Sequence, residues 1–95
     1  MYDVHMFIGI ARAGGSNPSS YPVGEKHTVR VFARQPTNTE PDWELAASYA
    51  ERAGWTGVEL QVAMKVDRGG IEADPATREA YDRALAQGGA IIVFP

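Results

Sequence analysis

No cysteine occurs in the 95 residues, so a disulfide framework, a thiolate nucleophile, an iron–sulfur cluster and any cysteine-containing zinc site are excluded. Long apolar runs are missing too. The longest, Ala90 to Phe94, has five residues, far below the roughly 20 that a membrane helix needs. Met1 leads into Tyr-Asp-Val-His with no basic stretch followed by an apolar one, so no targeting segment is expected and the expected location is the cytoplasm. Basic charge is also scarce: 9 Lys and Arg stand against 12 Asp and Glu, a net charge of −3, which excludes a whole-domain basic footprint for duplex nucleic acid. Imidazole is limited to His5 and His27.

What is present suffices for a core. The chain is 44% hydrophobic and 22% charged, a balance that offsets chain entropy without metals or cross-links. Its length fits one domain spanning residues 1–95 and is short for two. Charge is segregated along it. Residues 1 to 39 hold four bases against two acids, giving +2, and residues 40 to 95 hold five bases against ten acids, giving −5.

Apolar alternation predicts a first strand from Tyr2 to Arg12, with Tyr2, Val4, Met6, Ile8 and Ile10 on one side. The Gly, Ser, Pro and Asn content of residues 13 to 26 predicts a long loop. Val29, Val31 and Ala33 predict a second strand over His27 to Arg34, forming a hairpin with the first. Thr39 followed by Asp42 reads as a capping box for a first helix, whose inner stripe is Trp43, Ala46, Ala47, Ala50 and Ala53 and whose stop is Gly54. Val58, Leu60, Val62, Met64 and Val66 alternate without error, which predicts a third strand over Gly57 to Asp67 with a single apolar face. Asp74-Pro75 caps a second helix running to Gln87, with Ala80, Tyr81, Ala84 and Leu85 inward and Glu79 paired with Arg83. Ala90 to Phe94 reads as a fourth strand.

The element order is thus strand, strand, helix, strand, helix, strand. Strand–helix–strand crossovers prefer parallel, right-handed connections, so the expected fold is an α/β two-layer sandwich. In it a four-stranded mixed sheet carries both helices on one face and leaves the other bare.

Signatures of chemistry are weak. Gly9 to Ser16 has P-loop spacing, but Gly15 stands where the lysine belongs and Asn17-Pro18 blocks the helix that would have to follow. Asp67, Glu72 and Asp74 around Gly69-Gly70 lack the ligand alternation of a calcium loop, and Asp74 is better used as a cap. Strand rise sets His5 and His27 roughly 24 Å apart, too far to share a metal. No catalytic residue, cofactor or metal ligand is therefore assigned. Ser16, Ser19, Ser20 and Tyr21 near His27 leave one route to a small enzyme or ligand binder, with the 13–26 loop as a lid. Trp43 and Trp55 read as core anchors.

One constellation remains. Closing the hairpin on Arg12 and His27 sets Phe7 opposite Phe32, Gly9 opposite Arg30 and His5 opposite Arg34, all on the face away from the helices. Exposed aromatics beside arginines are the chemistry of protein interfaces. The expected function is accordingly a small noncatalytic interaction module, an inhibitor, adaptor or regulator, that binds another protein or a second copy of itself through Phe7, Phe32, Arg30, Arg34 and His5. A single-stranded nucleic-acid binder stacking bases on Phe7 and Phe32, with Arg30 and Arg34 holding phosphates, is the alternative.

Overall fold

The computed structural model describes residues 1–15, 21–67 and 74–94. Six elements follow in the expected order: β1 (Tyr2–Ala13), β2 (Lys26–Pro36), α1 (Trp43–Arg52), β3 (Trp55–Val66), α2 (Pro75–Gln87) and β4 (Gly89–Phe94). They form an α/β sandwich of one four-stranded sheet and two helices packed on it.

Both helices start where a carboxylate can hold free N–H groups. Asp42 accepts from the Leu45 N–H at 3.0 Å, and Asp74 accepts from the Ala76 N–H at 3.2 Å and the Thr77 hydroxyl at 2.6 Å, with Pro75 at the first helical position. The Thr39 hydroxyl instead donates to the Pro36 carbonyl at 2.6 Å, so the cap of α1 is Asp42 and not the Thr39–Asp42 box. Gly88 ends α2 at φ 100°, a left-handed residue whose N–H returns to the Ala84 carbonyl at 2.8 Å.

The mixed sheet is corrected by the observed topology. Strand order is β3-β1-β2-β4 and each neighbouring pair is antiparallel. The crossover through α1 does leave β2 and β3 running the same way, but β1 lies between them and turns both contacts antiparallel. The placement of both helices on one face is corrected as well. Phe7, Ala11, Val29, Val31 and Trp55 pack with Ala46 and Ala50 of α1, while Val4, Phe32 and Ala90 pack with Ala80 and Ala84 of α2. Since successive strand residues point to opposite faces, α1 and α2 cover opposite sides of the sheet. The chain crosses the sheet one way through α1 and returns the other way through α2.

Register supplies a third correction. The β1–β2 ladder closes on Arg12 and Lys26, one residue short of the expected pairing, so Phe7 stands opposite Val31 and Met6 opposite Phe32. A slip of one residue sends a side chain through to the other face.

Candidate interaction surface

The five residues expected to form one surface are dispersed by that slip. Phe7 and Phe32 are each 0% exposed, Phe7 under α1 and Phe32 under α2. His5 is buried with its Nδ1 lacking a hydrogen-bond partner among the described residues. Arg34 is held by the fold: its Nη1 donates to the Leu85 carbonyl at 2.8 Å and its guanidinium lies 4.5 Å from the Tyr2 ring centroid. Arg30 alone of the five stays beside a bare area, with its guanidinium 4.9 Å from the ring centroid of Phe94.

The lid and nucleophile reading has little geometry behind it. Ser16, Ser19 and Ser20 lie outside the described residues. His27 is buried, and both ring nitrogens face acceptors, Nδ1 the Phe94 carbonyl at 3.0 Å and Nε2 the Glu25 carboxylate at 2.5 Å. Its ring sits 4.3 Å from Tyr21 and 5.7 Å from Trp55, centroid to centroid. An imidazole so engaged has no nitrogen free for a substrate hydroxyl. Of the acids around Gly69-Gly70, Glu72 falls outside the described residues and Asp74 is the α2 cap. Among the described residues no group of three or more His, Asp or Glu side chains gathers to hold a metal ion.

A cleft of about 540 Å³ lies where β2 leads into α1. Its buried polar group is Gln35, whose amide nitrogen donates to the Thr39 hydroxyl at 2.6 Å and the Glu40 carbonyl at 2.7 Å while its oxygen accepts from the Asp42 N–H at 3.1 Å. Those bonds order the approach to the helix and leave Gln35 committed to the fold.

A bare surface exists elsewhere, and it arises from an irregularity in β3. Ile8 pairs with Val62 and Gly9 with Leu60, so Gln61 is passed over and the strand changes phase. Gly9 permits this. A Cβ there would run into the Glu59 carbonyl oxygen and the Leu60 Cα. Below the bulge Val58 and Leu60 turn into the core under α1; above it Val62 and Met64 turn to the α2 side of the sheet. Helix α2 packs on the β2–β4 half of that side, which leaves Val62 46% and Met64 43% exposed beside half-buried Ile8 and Ile10. Glu59, opposite Ile10, and Arg30, opposite Ile8, flank this strip on its two sides. Phe94 is 37% exposed at its margin.

Among the described residues no helix is long and apolar enough to cross a membrane. Comparison with known proteins gives no match, whether to family models, curated proteins or solved structures.

Proposed function

We propose that this protein is a small noncatalytic interaction module that pairs with a second copy of itself through the bare half of its sheet. The reading rests on one observation, the apolar strip of Ile8, Ile10, Val62 and Met64 that neither helix covers. Contiguous apolar surface on a small body marks a contact site more often than a solvated face.

A second copy is favoured by the charges around the strip. Arg30 lies on the β2 side of Ile8, and Glu59 on the β3 side of Ile10. A two-fold axis running between β1 and β3, parallel to both, lays one strip on the other and brings the Arg30 of each copy toward its partner's β3 edge, where Glu59 stands. That is the self-complementarity an isologous interface requires. Helix α2 occupies the other half of the same side, so the overlap is confined to the bare part. A role as adaptor, inhibitor or regulator belongs to the same proposal, since no described side-chain cluster offers catalytic geometry. The cytoplasm is proposed as its location on the lack of cysteine. Base stacking on Phe7 and Phe32 has no support, because both rings are buried.

Sedimentation velocity on the parent and on Met64→Asp tests the proposal. The parent should sediment as a dimer at tens of micromolar, and the variant as a monomer that keeps the parent's far-UV circular dichroism, since Met64 is already exposed. A parent that remains monomeric toward about 1 mM would remove this reading.

A further inference from the structure

We infer that the free edge of β4 is a docking groove for an extended, acidic segment of another protein, which adds to the sheet as a fifth strand. The sheet order leaves β4 at one margin. Which of its backbone groups face outward follows from the ladder. Ala33 lies opposite Gly89 and the Arg34 N–H donates to the Gly88 carbonyl at 3.0 Å, the pattern of a non-hydrogen-bonded antiparallel pair. Alternation then directs the N–H and C=O groups of Gly89, Ile91 and Val93 away from β2, toward the open margin. An arriving strand finds three donor–acceptor sets already in line.

The two helices turn that margin into a trough. On the α1 side a cleft of about 280 Å³ runs between Tyr49, Arg52 and Gly89–Ile91; on the α2 side one of about 210 Å³ runs between Ala76, Glu79 and Ala90–Ile92. Arg83, Ala90 and Ile91 line both clefts, so the two lie side by side at the strand edge. Its bond to Glu79, at 3.2 Å, is an exposed ion pair of the kind that contributes little and exchanges readily. The Arg52 guanidinium lies 5.3 Å from the Tyr49 ring centroid, which holds it near the α1 wall.

Each wall of the trough therefore presents a guanidinium, and the occupant is read from that charge. Side chains of an added strand alternate between the two walls, so two acids adjacent in sequence would meet Arg52 on one side and Arg83 on the other. Main-chain bonds to β4 supply the register, and the acid pair supplies the choice of partner. A second copy of this chain does not fit the trough. Its β4, Gly-Ala-Ile-Ile-Val-Phe, has no charge, and none of its strands carries neighbouring acids.

Fluorescence anisotropy with a labelled peptide of roughly ten residues, alternating Thr and Val around a central Asp-Glu, tests the inference. Saturable binding is expected, with Arg52→Gln and Arg83→Gln each weakening it by about three- to tenfold and Glu79→Gln, which frees Arg83, tightening it. A Lys-Lys peptide should bind at least about tenfold more weakly, and N-methylation of alternate peptide residues should abolish binding. Met64→Asp should leave peptide binding unchanged, which separates this site from the proposed dimer surface. No saturation by about 1 mM, indifference to both arginine substitutions, or binding that survives N-methylation in both alternating frames would each overturn the inference.

Discussion

Phe7 and Phe32 are aromatic residues whose strand neighbours, read one register apart, would have placed them together in water. Buried on opposite faces instead, each anchors a separate core. Phe7→Ala or Phe32→Ala is therefore expected to lower unfolding free energy by about 3–5 kcal/mol, measured by urea titration, as truncation of a packed core ring does. An exposed ring of an interface would instead leave the midpoint nearly unchanged. Gly9 carries a different constraint. Any side chain there meets the backbone of β3 at its bulge, so Gly9→Ala should cost about 1–3 kcal/mol in the same titration, although alanine ordinarily favours strand no less than glycine. The sequence shows that residue as part of a P-loop-like spacing and as an expected partner of Arg30, with no sign of this constraint, because close backbone approach leaves no mark on local periodicity.

At the scale of elements, helix and strand boundaries were legible where the responsible chemistry is local. Asp74-Pro75 and Gly88 delimit α2 as the sequence indicates, since cap, fixed proline φ and left-handed glycine act within a turn. Asp74 also makes this terminus acid-sensitive. The Thr77 hydroxyl, with the Ala76 and Thr77 N–H groups and the Arg30 charge, holds its carboxyl below the ordinary 3.8. The unfolded chain thus takes up the proton more easily, and the stabilisation is complete above about pH 4 and lost as pH falls through the folded value. Asp74→Ala should accordingly unfold at a lower temperature than the parent at pH 7, with the gap closing in thermal circular-dichroism scans below about pH 4. For β3 the sequence misleads. Its faultless alternation from Val58 to Val66 implies one apolar face, but the bulge at Gln61 separates Val58 and Leu60, in the α1 core, from Val62 and Met64, in the bare strip. A bulge is fixed by the strand across from it, which local periodicity does not record.

For the molecule as a whole, element order was readable and the arrangement of elements was not. The preference for parallel crossovers holds for strands that lie side by side, whereas β1 sits between β2 and β3 and pairs with both. One helix on each side buries Phe7 and Phe32 and leaves Ile8, Ile10, Val62 and Met64 as the bare surface. Of Phe7, Phe32, Arg30, Arg34 and His5, Arg30 alone lies beside it. The proposed dimer and the β4 trough occupy different parts of this body, so Met64→Asp and Arg52→Gln are expected to act independently of each other.

The central place of β1 has a bearing on how the chain is made. Its hairpin with β2 emerges from the ribosome ahead of both flanking strands, and Val4 finds its partner Val66 only after some sixty further residues have been added. Until α1 and β3 follow, the nascent hairpin has two unsatisfied margins and two apolar sides, and α2 comes to shield one of those sides only later still. Such a segment is a natural client for chaperones that hold short hydrophobic stretches, and slowing translation between β2 and β3 would prolong its exposure.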